Sequence, residues 1–119
     1  ELKGMKLRQF GSGRFVRGEP SEEDVRLARE GLEYAARTMA SGEFDMVILD
    51  ELNVAVHLGV LSSQGALEAI RNRHEGVEVV VTGRYATDEL IQEADYVTEM
   101  RMVKHPFDRG VQARKGIEF

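Results

Sequence analysis

Apolar and polar positions change period several times along this chain, and each change marks an expected element. Residues 5–10 (MKLRQF) alternate apolar with polar, the period-2 pattern of a short strand. Gly11, Ser12 and Gly13 break it, and a polar loop runs on through Gly18 and Pro20. Ser21-Glu22-Glu23-Asp24 then reads as a helix start, a hydroxyl N-cap followed by three acids at the positive end of the helix dipole. Val25, Ala28, Leu32, Ala35, Ala36 and Met39 form one apolar stripe of that helix, and Gly42 supplies its stop.

From Phe44 to Leu49 the run FDMVIL is too short for a helix and rich in strand formers, so it predicts a buried central strand ending at Asp50-Glu51. A short helical stretch is expected over Asn53 to Leu58 and a second helix over Ser62 to Arg73. Gly76 separates these from a strand over Val77 to Val81, which ends at Thr82-Gly83-Arg84. Thr87, with Asp88 and Glu89 after it, caps a helix running to Ala94. Residues 96–103 (YVTEMRMV) alternate again and predict a last strand before an irregular basic tail. Strands alternating with helices predict an α/β fold, a mainly parallel sheet with crossover helices, in one domain over residues 1–119.

Composition narrows the chemistry. With no cysteine among 119 residues, disulfides, zinc–thiolate sites and a cysteine nucleophile are excluded, which fits a cytoplasmic location. No apolar run reaches the ~20 residues of a membrane span, so no membrane partner is expected. Residues 1–100 hold eleven basic and nineteen acidic side chains, a local −8, whereas residues 101–119 hold five basic and two acidic, a local +3. An acidic body argues against nucleic-acid binding, which depends on neutralising phosphates. The basic tail suits an anionic ligand such as a polyphosphate, or simply solvent.

Ligands of open α/β sheets bind at the carboxyl ends of the strands. That rule gathers Asp50-Glu51, Thr82-Gly83-Arg84 and the residues after Val103 on one edge. An apolar strand closing on two acids has the form of a Walker B element, able to hold Mg²⁺ on a nucleotide polyphosphate. The same pair also suits the start of the following helix, and spacing alone does not separate the two. Gly83 allows close backbone approach and Arg84 can clamp phosphate, although an ordinary turn with an exposed arginine has the same sequence. Lys104, His105 and Phe107 place a cation, an imidazole and an aromatic ring on a segment stiffened by Pro106. Phe15, between Arg14 and Arg17, is an aromatic residue in a polar loop, placed either against a flat ligand or in the core. His57 and His74 fall at helical positions and carry no assigned role. No Ser-His-Asp or Cys-His arrangement is present.

In order along the chain, RQFGSGRFVRGEPSEEDVRLARE, FDMVILDELNVAVHLGVL and VEVVVTGRYATDELIQEADYVTEMRMVKHPFDRGVQARKGIEF resemble the P-loop-type ATP:corrinoid adenosyltransferases. The combination of LDELN, VTGR, ADYVTEM, VKHPF and GIEF is more specific than any single Walker element. The resemblance implies a P-loop NTPase fold of RecA-like type and transfer of the 5′-deoxyadenosyl group of ATP to the Co(I) centre of a corrinoid, with triphosphate leaving. The substrate's cobalt would then be the nucleophile, so no catalytic side chain is expected. It further implies Mg²⁺ held by Glu51 with Asp50 assisting, a nucleotide along Thr82, Gly83 and Arg84, a corrinoid near Phe15, and Lys104, His105 and Phe107 lining the corrinoid cleft or else the nucleotide cleft. A homodimer or higher self-association is also implied.

The chain departs from that family in one respect: it has no G-x-x-x-x-G-K-[ST] loop, and its early glycines are Gly4, Gly11, Gly13 and Gly18. The resemblance therefore reads as a C-terminal portion, N-terminally truncated, that is inactive alone. A non-catalytic corrinoid-binding or assembly module, and half of an ATPase completed by another chain, are the competing readings.

Overall fold

A computed structural model describes residues 3–11 and 18–115. The element order is α1 (Glu22–Ser41), β1 (Met46–Leu49), α2 (Leu52–His57), α3 (Ser63–Arg71), β2 (Glu78–Val81) and α4 (Asp88–Glu93), followed by a 3₁₀ turn at Pro106–Arg109. Local chemistry explains these limits. Ser21 and Asp24 form a reciprocal capping box at the start of α1, each side chain bonded to the other's backbone N–H. Gly42, with φ 69°, ends α1 in the left-handed conformation expected of a C-terminal glycine. Ser62 and Thr87 cap α3 and α4 through their hydroxyls.

β1 and β2 form a two-stranded parallel sheet in the register Met46–Glu78, Val47–Val79, Ile48–Val80 and Leu49–Val81. Parallel pairing requires a crossover, and α2 with α3 provides it. The buried cluster is Met39, Leu52, Ala66, Leu67, Ala69, Ile70 and Leu90, with Val47, Leu49, Val79 and Val81 packed against it from the sheet. All four helices, α2 through Leu52, therefore contribute to the core together with one face of the sheet. No helix among the described residues is long and apolar enough to cross a membrane.

Three sequence expectations change. Residues 5–10 form no strand. Phe10 instead lies on α1, its ring 5.5 Å from that of Tyr34, and Arg8 stands over the Tyr34 ring at 5.0 Å. Gly31 makes this seat possible: a Cβ there would come within 2.9 Å of Phe10 Cβ and Cγ, so this glycine inside the helix serves packing. Residues 96–103 also form no strand and are exposed throughout, with Tyr96, Met100 and Val103 more than nine-tenths accessible. A strand is held by its ladder, and the described residues bring no sheet edge to this segment. Finally, β1 is not buried on both faces. Val47 and Leu49 face the core, while Met46 (53%) and Ile48 (55%) lie open beside Val80 (38%).

Candidate functional site

The carboxyl ends of β1 and β2 meet in a cluster organised by one hydroxyl. Thr82 Oγ1 donates to Asp50 Oδ1 at 2.6 Å and accepts the backbone N–H of Glu51 at 2.9 Å. The short first bond is charge-assisted, a hydroxyl donating to a carboxylate oxygen. The Thr82 N–H donates in turn to the Leu49 carbonyl at 3.2 Å, carrying the parallel ladder one residue beyond the strands. Asp50, Glu51 and Thr82, separated by about thirty positions in sequence, thus share one edge of the fold.

Glu51 occupies the left-handed region (φ 60°, ψ 21°) at the start of α2, and its side chain makes no capping bond there. A non-glycine residue held in that region is uncommon, and strain of this kind concentrates at functional positions. Of the two expected uses of Asp50-Glu51, the capping role is therefore not the one Glu51 takes. Its carboxylate is exposed and free of hydrogen bonds and ion pairs among the described residues.

Asn53 completes the cluster, and the sequence reading missed it. Its backbone N–H donates to the Thr82 carbonyl at 3.3 Å and its Nδ2 donates to the Gly83 carbonyl at 2.9 Å. Asn53 is buried, and its Oδ1 finds no partner among the described residues. Gly83, at φ 117°, lies so close that a Cβ would stand 3.2 Å from Asn53 Cβ and 3.3 Å from the Val54 nitrogen. The glycine thus serves close backbone approach as well as a conformation closed to other residues. The signal available in the sequence was Asn53 two positions after the acidic pair, a polar residue in the first turn of an otherwise apolar helix.

Arg84 is exposed at the end of this turn and makes no hydrogen bond or ion pair among the described residues. Tyr85 follows in a second left-handed conformation (φ 66°) and stacks on His57, with centroids 4.0 Å apart and planes at 21°. Beyond the cluster, Arg71 and Glu93 join α3 to α4 at 2.9 Å. The Arg71 guanidinium beside Glu93 holds that carboxyl below the usual carboxylate range, and Glu93 raises Arg71 in return.

Lys104, His105 and Phe107 are exposed, and no hydrogen bond, ion pair or ring contact among the described residues joins them to the Asp50–Arg84 cluster. His105 has a local use: its Nδ1 accepts the Phe107 N–H at 3.0 Å and so caps the 3₁₀ turn. Phe15 and the closing residues 116–119 lie outside the described residues. Among the described residues no group of three or more acids or histidines could by itself enclose a metal ion.

Comparison with known proteins gives a consistent result. The family described as ATP:corrinoid adenosyltransferase BtuR/CobO/CobP matches residues 1–119. A corrinoid adenosyltransferase of Pseudomonas aeruginosa is 39% identical over 110 residues, 92% of this chain and 54% of the relative. One from Escherichia coli strain K12 is 34% identical over all 119 residues, 61% of its length. The corrinoid adenosyltransferase CobA of Salmonella typhimurium is 31% identical over the same span. The chain spans between 54% and 61% of the length of these three relatives.

Proposed function

The chain belongs to the ATP:corrinoid adenosyltransferase family, and on that premise we propose that it serves transfer of the 5′-deoxyadenosyl group of ATP to the Co(I) centre of a corrinoid. A cobalt–carbon bond forms at C5′ as the C5′–oxygen bond breaks, and the electron pair of that bond leaves with the triphosphate. The observation that carries the reading is the Thr82 hydroxyl, which fixes Asp50 and the Glu51 backbone at the strand ends where a nucleotide would lie.

Because the nucleophile is the substrate's own cobalt, the protein has no proton to abstract and no covalent intermediate to form. Its task is placement. Glu51 presents an unshared carboxylate, Asp50 is aimed by Thr82, and Arg84 extends a free cation for the polyphosphate. The donor set suits Mg²⁺, which is commonly held by one or two carboxylates together with substrate phosphates rather than by a closed protein cage. Glu51 would hold the ion with Asp50 assisting, and Mg²⁺ when bound supplies charge neutralisation for the triphosphate. Lys104, His105 and Phe107, with Phe15, are assigned to the corrinoid side.

The absence of a G-x-x-x-x-G-K-[ST] loop from these 119 residues removes the backbone cradle and the lysine for the phosphates. The 119-residue chain alone is therefore proposed to bind ATP weakly and to turn over at background. The bare sheet face at Met46, Ile48 and Val80 supports self-association of the isolated chain.

The test is adenosylation with MgATP and chemically reduced corrinoid, followed by loss of Co(I) absorbance. It compares this chain with the same chain joined to a strand, Walker A loop and helix. Activity only in the joined form is expected. Turnover by the chain alone would overturn the inactivity, and an inert joined form would favour a non-catalytic corrinoid-binding module.

A further inference from the structure

Tyr85 is the side chain at this edge that the strand-end chemistry does not use. Its backbone is held in the left-handed region, φ 66°, although a bulky side chain disfavours that conformation. One face of its ring lies on His57 at 4.0 Å. The residue remains 61% exposed, so the opposite face is open. Immediately before it stands Arg84, a cation without a partner among the described residues, and before that Gly83, where the backbone lies against Glu51 and Asn53. Strain of this kind persists only where the surroundings over-determine it, and here it turns a flat ring outward beside the phosphate-facing turn.

We propose that the stacked Tyr85–His57 pair is a platform for the purine base of the nucleotide, with Arg84 meeting its phosphates. The proposal rests on the nucleotide reading of this edge and names the residues that recognise the base. Aromatic rings take bases by offset stacking, and a ring already backed by a second ring loses little freedom when a third is added. The open face is that of one phenol ring, which matches a base and is far smaller than a corrin macrocycle. The adjacent guanidinium suits a ligand that carries base and phosphate together. A role as a structural clip between α2 and the 82–87 turn would account for the stack but would give no preference among ligands.

The experiment is an NMR titration of the 119-residue chain, suited to its size and to weak binding, with each ligand taken to about 10 mM so that millimolar affinity is visible. The ligands are MgATP, AMP, ribose 5-phosphate, magnesium tripolyphosphate and a free corrinoid. The expected result is upfield movement of the Tyr85 and His57 ring signals with MgATP and AMP. Ribose 5-phosphate and tripolyphosphate should move only backbone amides around residues 50–84. Tyr85→Phe should keep MgATP affinity within about twofold, whereas Tyr85→Ala should lose about five- to a hundredfold, the range for one base on one aromatic ring.

If MgATP and tripolyphosphate perturb the same amides and neither moves the rings, the platform is overturned while the nucleotide edge stands. If the rings answer to the corrinoid and not to AMP, the base assignment is overturned. If no ligand moves any signal, the platform and the nucleotide reading fall together. The unmutated chain decides among these outcomes, so the test survives a Tyr85→Ala chain that does not fold.

Discussion

Replacing Thr82 by valine is the most economical test of how the candidate site is built. The two side chains have nearly the same shape, so the substitution removes one hydroxyl and little packing. Two hydrogen bonds go with it: the 2.6 Å bond to the Asp50 carboxylate and the 2.9 Å bond from the Glu51 N–H. A neutral hydrogen bond contributes about 0.5–1.5 kcal/mol net and one to a charged group about 1.5–3 kcal/mol. Asp50 and Glu51 are exposed and water can replace both contacts, so the lower part of each range applies. The expected loss is about 1–2 kcal/mol, read from the urea midpoint at unchanged slope. Thr82→Ser keeps the hydroxyl and should recover most of this loss. A Thr82→Val chain within about 0.5 kcal/mol of the parent, the size of ordinary surface effects, would show that the hydroxyl does not hold this edge together. A serine chain as destabilised as the valine chain would show that the hydroxyl alone does not account for the loss.

Other predictions rest on separate features. Gly83→Ala forces a side chain into a φ of 117° against Asn53 and Val54, and should cost about 1–3 kcal/mol by denaturation. Met39→Ala empties the one large side chain that is fully buried among the described residues, and a loss of about 2–5 kcal/mol should leave the chain largely unfolded by circular dichroism. Glu51→Gln should leave the urea midpoint unchanged, because the carboxylate makes no bond among the described residues, while removing the Mg²⁺ dependence of nucleotide binding measured calorimetrically. For the Arg71–Glu93 pair, Arg71 depresses the folded Glu93 pKa below its unfolded value. Its contribution is therefore present above the ordinary carboxylate range and is lost as pH falls through the folded pKa. A Glu93→Gln chain should flatten the midpoint-versus-pH curve on that acidic side, and an unchanged curve would count against the pair.

Local signals made much of the fold legible. Ser21, Gly42, Ser62 and Thr87 marked helix ends because capping is chemistry between near neighbours, and all four act as caps. The strands at Met46–Leu49 and Glu78–Val81 were legible for a related reason, since short β-branched runs between glycines and acids have few alternatives. The alternation in residues 5–10 and 96–103 misled because alternation describes a strand's faces and not its partner. Nothing in MKLRQF announces that Gly31, much further along the chain, leaves a seat for Phe10.

The site divides in the same way. Asp50, Glu51, Thr82, Gly83 and Arg84 were gathered by the rule that ligands lie at strand ends, and the fold gathers all five. The Asn53–Gly83 bond and the stacking of Tyr85 on His57 were not legible because both depend on where two turns approach in space. Lys104, His105 and Phe107 share a segment without a described bond to that edge.

The crossover between β1 and β2 also imposes an order of events on the folding chain. Asp50 and Glu51 are neighbours in sequence, yet the hydroxyl that arranges them is 32 and 31 residues further on, beyond two helices. Helices α1 and α3 can begin from local contacts, but the acidic pair has no fixed geometry until the long loop closes and Thr82 arrives, a step delayed by the entropy of closing it. On the ribosome, β1 and its two acids emerge well before their organiser. The geometry of the acidic pair consequently depends on a pairing distant in sequence, and a chain in which β2 has not reached β1 carries Asp50 and Glu51 without it.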